Sequence, residues 1–190
     1  MLGNQVILVD KQNNAIGEIG KAEAHQKGLL HRSFAVFVFN KNQELLIQKR
    51  ELKKQYSGGL WSNTCLGHPQ INEINIEAAH RRLREEMGFD CTLIKAFDYL
   101  HKSELENQTI ENEYTEVFFG IYNGKPKINR HEASDWDLIN LSVLKKLMKE
   151  SPGSYSICLH ISFKNMLEFT IKHFEKLPIQ DYFYNLNNKS

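Results

Sequence analysis

The stretch Trp61–Phe89, WSNTCLGHPQINEINIEAAHRRLREEMGF, constrains this chain more than any other. An apolar-edged run turns at Gly67-His68-Pro69 and then enters a helix. Ile76, Ala79, Leu83 and Met87 recur at three- and four-residue steps, the period of a buried helix face. Asn75 is the expected N-cap, Glu77 lies in the first turn, and Gly88 stands where the helix stops. The other side of that helix carries Arg81, Arg82, Glu85 and Glu86. A strand, a glycine-bearing loop and an acid-lined helix make a place to hold a hard cation against a phosphate.

The flanking chain supplies a sheet and two more helices. Strands are expected at Gln5–Val9 and Ile16–Ile19, the second pairing back across a polar turn. Lys21–Gly28 is polar and reads as one short helical turn. Ser33–Phe39 and Glu44–Lys49 read as a buried strand and its return, followed by a basic connection from Arg50 to Gly59. Beyond the central helix, Cys91–Phe97 and Glu113–Tyr122 read as strands on either side of a polar loop, Ser103–Thr109. His131–Asp137 is polar and carries Trp136. Ser142 is the expected cap of a helix through Leu144, Leu147 and Met148, and Ser151-Pro152-Gly153-Ser154 breaks it. Ile161–Phe174 sketches a longer amphipathic helix. The strands-then-helix order gives a mixed α/β (α+β) sandwich. A chain of 190 residues fits a single domain, taken as 1–178, with 179–190 as a C-terminal tail.

Charge and cysteines narrow the function classes. A net charge of +1 gives no global field for nucleic acid or an anionic membrane. No apolar run approaches the length of a membrane span. Neither a nucleic-acid partner nor membrane insertion is expected, and the oligomeric state stays open. The cysteines, Cys65, Cys91 and Cys158, are odd in number and form no CxxC pair. That argues against a disulfide framework and for a reducing, cytoplasmic setting. The N-terminus lacks the basic start and apolar run of a signal peptide.

Counted out, the central stretch is Gly67, five residues, Glu73, seven residues, then Arg81-Arg82-Leu83-Arg84-Glu85-Glu86-Met87-Gly88-Phe89. This resembles the Nudix box, the loop-helix signature of enzymes acting on diphosphates attached to other groups. The resemblance implies a Nudix-like mixed β-sheet sandwiched between helices. The family pattern has Arg-Glu where this chain has Arg81-Arg82. In Nudix hydrolases that acid belongs to the carboxylate group that binds metal and readies water for attack. A cation at Arg82 removes charge that would hold Mg²⁺ and adds charge that would hold phosphate. Arg82 and Glu86 lie four apart, on one helix face. The face looks built to bind a metal–diphosphate, not to hydrolyse it.

Other pieces, spread from Gln5 to Tyr155, are similar to the type I isopentenyl-diphosphate isomerases, a Nudix-fold family. They are Lys21, His25 and His31 in K-x3-H-x5-H, Arg50 with Lys54, the loop Leu60–Pro69, Arg81–Gly88, Phe97 with Tyr99, and Glu111–Glu113. Glu111 and Glu113 are two apart, so on a strand both point to one side. Three imidazoles and two carboxylates suit a divalent ion such as Mn²⁺, Zn²⁺ or Mg²⁺. The resemblance implies a metal site at His25, His31, His68, Glu111 and Glu113, taking Mn²⁺ or Zn²⁺. It also implies Mg²⁺ bound with the substrate diphosphate at Glu86, and Lys21, Arg50, Lys54 and Arg82 holding that diphosphate.

The reaction so implied moves a double bond between isopentenyl and dimethylallyl diphosphate. One carbon is protonated and another deprotonated, on opposite faces, in a dry site. Glu113, assisted by Tyr99, matches the family's acid side. The family's opposite-face partner is a cysteine two residues before the loop histidine, and a tryptophan steadies the cationic intermediate. Leu66 stands at that cysteine position and Gly153 at the tryptophan position. Cys65 is adjacent, but strand alternation turns it away, and a small buried apolar residue is the expectation for it. Trp136 and Tyr155 are the alternatives for the tryptophan. Other readings of the same scaffold are an enzyme acting on a prenyl diphosphate by cation rearrangement or hydrolysis, and a prenyl-diphosphate binder without isomerase turnover. Arg82 speaks against hydrolysis.

Overall fold

The computed structural model describes residues 5–104 and 109–173. In chain order the strands are β1 Gln5–Val9, β2 Ala15–Gly20, β3 His31–Phe39, β4 Leu45–Arg50, β5 Trp61–Ser62, β6 Cys65–Gly67, β7 Leu93–Glu104, β8 Ile110–Ile121 and β9 Ala133–Ile139. The helices are α1 Lys21–Lys27, α2 Asn75–Met87, α3 Leu141–Glu150 and α4 Ile157–His173, with a 3₁₀ turn at Pro152–Ser154.

Strand β3 is the spine of the sheet. It pairs parallel with β8 along its whole length, from His31 opposite Glu113 to Phe39 opposite Ile121. Its other edge meets β1, then β6, then β4, all antiparallel. Strand β8 continues to β7, and β4 continues to β5 and β9. Phe34–Phe39 is buried throughout because both faces of the sheet are covered, the condition under which a strand reads as a continuous apolar run. Ala35, Phe37 and Phe39, with Val117 and Phe119, pack beneath Leu144 and Met148 of α3 and Leu159, Phe163 and Met166 of α4. Phe34, Val36 and Val38, with Phe118, pack against Ala79, Leu83 and Met87 of α2. Each such fully buried side chain is worth roughly 1.5–3 kcal/mol of transfer free energy.

This alternation places the chemistry. His31 and Ser33 share the parity of Ala35, and Glu111, Glu113 and Thr115 share that of Val117, so these polar rows lie on the α4 side. The hydroxyls of Ser33 and Thr115, 2.7 Å apart, tie the two rows together. In β6, Leu66 opposes Ala35 and faces α4, whereas Cys65 opposes Val36 and enters the α2 core.

Local expectations shift in several places. Ile74, not Asn75, is the N-cap of α2, and Asn75 is buried with its amide donating to the Ser33 carbonyl at 3.2 Å. Asn140 caps α3 by accepting from the Ser142 backbone N–H, so Ser142 lies inside the helix. Lys21–Lys27 is a full helix ended by Gly28. The polar stretch around Trp136 is strand β9, whose Asp135 and Asp137 point to solvent while Trp136 and Leu138 face inward. Strand β7 starts at Leu93 and runs on to Glu104, because β8 offers a partner along its length. Helix α4 begins at Ile157, a turn earlier than its apolar pattern announces. Residues 105–108 of the expected loop Ser103–Thr109, and the tail 179–190, lie outside the described residues. Among those residues no helix is long and apolar enough to cross a membrane.

Candidate active site

Helix α1 carries Lys21 and His25 four residues apart, on one face. His31 opens β3 opposite Glu113 of β8, and His68 follows the Gly67 turn at the end of β6. Gly67 suits that turn because a Cβ would sit 3.3 Å from the Phe34 ring. These elements bring His25, His31, His68 and Glu113 together, with one donor atom of each within 4.8 Å of all the others. Glu113 Oε1 lies 2.9 Å from His68 Nε2 and 3.4 Å from His31 Nε2.

The protonation states suit metal binding. Burial, reinforced by the Lys21 charge, pushes the pKa values of His25 and His68 down to about 4, so both rings are neutral at pH 7. His31 Nδ1 is 2.9 Å from the Leu29 carbonyl. A carbonyl only accepts, so Nδ1 carries a proton and Nε2 is the nitrogen turned toward the Glu113 carboxylate. Burial acts to raise the pKa of Glu113, but the adjoining His31 and His68 imidazoles outweigh it and hold the carboxyl well below its usual range. Neither ring nitrogen of His25, nor Nε2 of His31, has a hydrogen-bond partner among the described residues. Buried acceptors converging on one point fit a divalent cation with imidazole and carboxylate ligands.

Glu111 is not among those four. It accepts from the Cys158 thiol at 3.3 Å and faces His101 Nε2 at 3.4 Å. On β7, His101 lies opposite Glu113 and Tyr99 opposite Thr115. Burial first, then the Glu113 charge, pushes the Tyr99 phenol up, so it keeps its proton. Burial and Glu111 likewise push the Cys158 thiol up. A small cavity of about 20 Å³ is lined by Leu66, His68, Tyr99, His101, Glu113 and Cys158, among others. Cys65 faces the other layer, its thiol 3.5 Å from Glu86 Oε1.

A larger cavity, about 430 Å³, shares the wall Leu66–Gly67–His68 with the small one. Lys21, Arg50, Lys54 and Arg82 all line it, together with Glu86. Arg82 reaches Glu85, Glu86 and Glu132 at 2.7, 2.7 and 3.0 Å. Burial works against its charge, but these carboxylates, Glu86 foremost, raise its pKa further. Glu132 also pairs with Lys54. Glu86 is buried, and its second oxygen accepts from Gln48 Nε2 at 2.6 Å. Burial pulls the Lys21 pKa down, and its ammonium lies over the Tyr56 ring. Four cations around one cavity suit a multiply charged anion such as a diphosphate.

Sequence reasoning missed Gln48, Tyr56, His101, Glu132 and Cys158. His101 carried a readable signal, since it alternates with Tyr99 on one strand. Cys158 required the earlier start of α4. Trp136 and Tyr155 do not line either cavity, and Gly153 sits in the 3₁₀ turn with open space around it.

Solved structures share the fold. One, of a Deinococcus radiodurans protein, matches 85% of this chain and 98% of its own with a TM-score of 0.69 at 17% identity. The MutT protein of Methanosarcina mazei matches 76% and 96% with a TM-score of 0.60 at 16% identity. The chain belongs to the NUDIX domain family, whose pattern matches residues 29–158, and within it to the isopentenyl-diphosphate Delta-isomerases. Isopentenyl-diphosphate Delta-isomerase 2 of Aromatoleum aromaticum is 47% identical over 156 residues, covering 82% of each chain. The protein of the same name from Photorhabdus laumondii is 48% identical over 152 residues, covering 80% of this chain and 86% of its own.

Proposed function

We propose that this protein converts isopentenyl diphosphate to dimethylallyl diphosphate by a metal-dependent double-bond shift in the cytoplasm. The observation that carries this reading is a buried His25–His31–His68–Glu113 cluster adjoining a four-cation cavity, in a chain nearly half identical to named isomerases. Lys21, Arg50, Lys54 and Arg82 hold the diphosphate, and Mg²⁺ accompanies it at Glu86. The His/Glu cluster holds Mn²⁺ or Zn²⁺. Bound there, the ion supplies positive charge that strengthens proton donation beside it.

The residues divide the remaining work. The diphosphate anchors one end of the substrate and directs its hydrocarbon past Leu66 toward Glu113 and Tyr99. An alkene is a poor base, so the donor must be strong and positioned, and Tyr99 keeps its proton beside Glu113 for that purpose. Burial excludes the water that would quench a developing cation. Hydrolysis is disfavoured because Arg82 occupies the place of the acid that would ready water.

Incubation with isopentenyl diphosphate, Mg²⁺ and Mn²⁺ in D₂O, followed by NMR, tests the reading. Dimethylallyl diphosphate carrying deuterium is the expected product. Release of inorganic diphosphate without a bond shift would move the chain to the hydrolases. A substrate that binds and takes up no deuterium would sink the isomerase assignment.

A further inference from the structure

If the chain is the isomerase proposed above, proton addition to the terminal methylene of isopentenyl diphosphate leaves positive charge on the branched carbon beside it. That charge must be carried until the neighbouring methylene gives up a proton. The step gains most from dipoles fixed in advance, with their negative ends toward the charge, in a place that excludes water. A group of this kind need not gain or lose a proton.

Asn63, in the connection between β5 and β6, lines the small cavity together with Leu66, Tyr99, Glu113 and Ser162. The Ser162 hydroxyl donates to the Cys158 carbonyl at 2.7 Å, so it is left to accept from Asn63 Nδ2 at 2.8 Å. This fixes which way round the amide sits, nitrogen toward α4 and Oδ1 turned away from it. Asn63 is fully buried, and Oδ1 has no hydrogen-bond partner among the described residues. The Thr115 hydroxyl, by contrast, is engaged with Ser33 at 2.7 Å. Gln48 and Asn75 also hold unpartnered amide oxygens, yet neither lines this cavity. His101 Nδ1 is unpartnered too, but an imidazole can itself turn cationic, whereas an amide keeps the same dipole at every working pH. An unpartnered amide oxygen is costly to keep buried, and in so dry a place it attracts positive charge strongly.

We propose that Asn63 is a catalytic residue whose Oδ1 faces the branched carbon and stabilises the positive charge that develops there. Asn63 takes up no proton and forms no covalent bond. Ser162 is its positioning residue, holding the amide by its nitrogen so that the oxygen is the end left for the substrate.

Full-length Asn63→Leu, which keeps the volume and removes the dipole, and Asn63→Ala test this, with folding and metal content measured. The expected result is a kcat loss of roughly 10²-fold, the scale of one preorganised dipole, with KM within about threefold. Binding supplies a readout that needs no turnover. Isopentyl diphosphate, the saturated analogue, is compared with the analogue carrying a tertiary ammonium nitrogen in place of the branched carbon. The wild type should prefer the ammonium analogue. Both variants should lose that preference by roughly tenfold or more, while isopentyl diphosphate binding holds within about threefold. Ser162→Ala, which frees the amide to turn, should fall between them and the wild type. An unchanged preference in both Asn63 variants would overturn the assignment, as would kcat within about threefold of wild type. Equal weakening of the two analogues would show a packing role and overturn it as well. A wild type that turns over no isopentenyl diphosphate sinks the isomerase reading, and this catalytic role with it.

Discussion

Replacing Arg82 by Gln removes one cation from among three carboxylates. The contact with Glu85 is with an exposed group, and a surface pair of this kind is worth about 0.2–1 kcal/mol. Glu86 is different, because its side chain is only 3% exposed and Arg82 lies 2.7 Å from it. Breaking a buried pair by removing one partner costs roughly 3–5 kcal/mol, since the remaining charge is left without compensation. Gln48 Nε2 stays at 2.6 Å from the other oxygen and offsets part of that. The expected net loss is about 3 kcal/mol, the low end of the range for a broken buried pair. In a domain of this size that corresponds to a fall in Tm of about 6–12 °C. Urea unfolding at pH 7 in EDTA measures it without Mg²⁺ standing in for the lost charge. Arg82→Lys, which keeps the charge but loses the fork, should cost less than half as much. An Arg82→Gln protein within about 0.5 kcal/mol of wild type would refute the view that Arg82 holds the buried Glu86 charge.

Two further outcomes test the site and its scaffold. In metal-free protein, His25 and His68 have folded pKa values of about 4 against an ordinary 6.5, so below pH 6.5 the unfolded chain binds protons that the fold refuses. Their contribution is intact above pH 6.5 and is lost as pH falls toward 4, by up to about 3 kcal/mol for each histidine. Glu113, held low, keeps its own contribution until well below pH 4.5. Urea midpoints at pH 7, 6, 5 and 4 should decline steadily, and a flat series would contradict the burial assigned to these rings. At the end of α2, Gly88 has φ +70° and a Cβ there would lie 2.2 Å from the Lys127 carbonyl oxygen. Gly88→Ala should cost about 2–3 kcal/mol by urea unfolding, whereas Gly153→Ala, with open space around it, should cost almost nothing.

The central loop and helix were legible because their spacing places particular side chains whatever the tertiary context. Glu111 and Glu113 were legible as one face because strand parity is fixed, yet parity does not say which neighbour each carboxylate meets. Cys158 and His101 claim Glu111, and both reach it only through packing of α4 and pairing of β7. Asn75 misled as a cap because its amide instead satisfies the buried Ser33 carbonyl, a long-range contact. Glu132 left no local trace. It arrives beside Lys54 and Arg82 only because β9 pairs with β4 and the Glu51 N–H bonds the Glu132 carbonyl at 3.0 Å.

The wall Leu66–Gly67–His68 divides a roomy chamber from a cramped one. The inner chamber, at about 20 Å³, has room for little more than one water. On the proposed function, a five-carbon tail beside Glu113 would need that lining to move aside, whereas inorganic diphosphate would need only the outer chamber. Anchoring and admission would then be separate events, the first set by charge and the second by the room left for the hydrocarbon. Each added carbon would then demand a larger displacement of the same lining, a steric gauge of tail length.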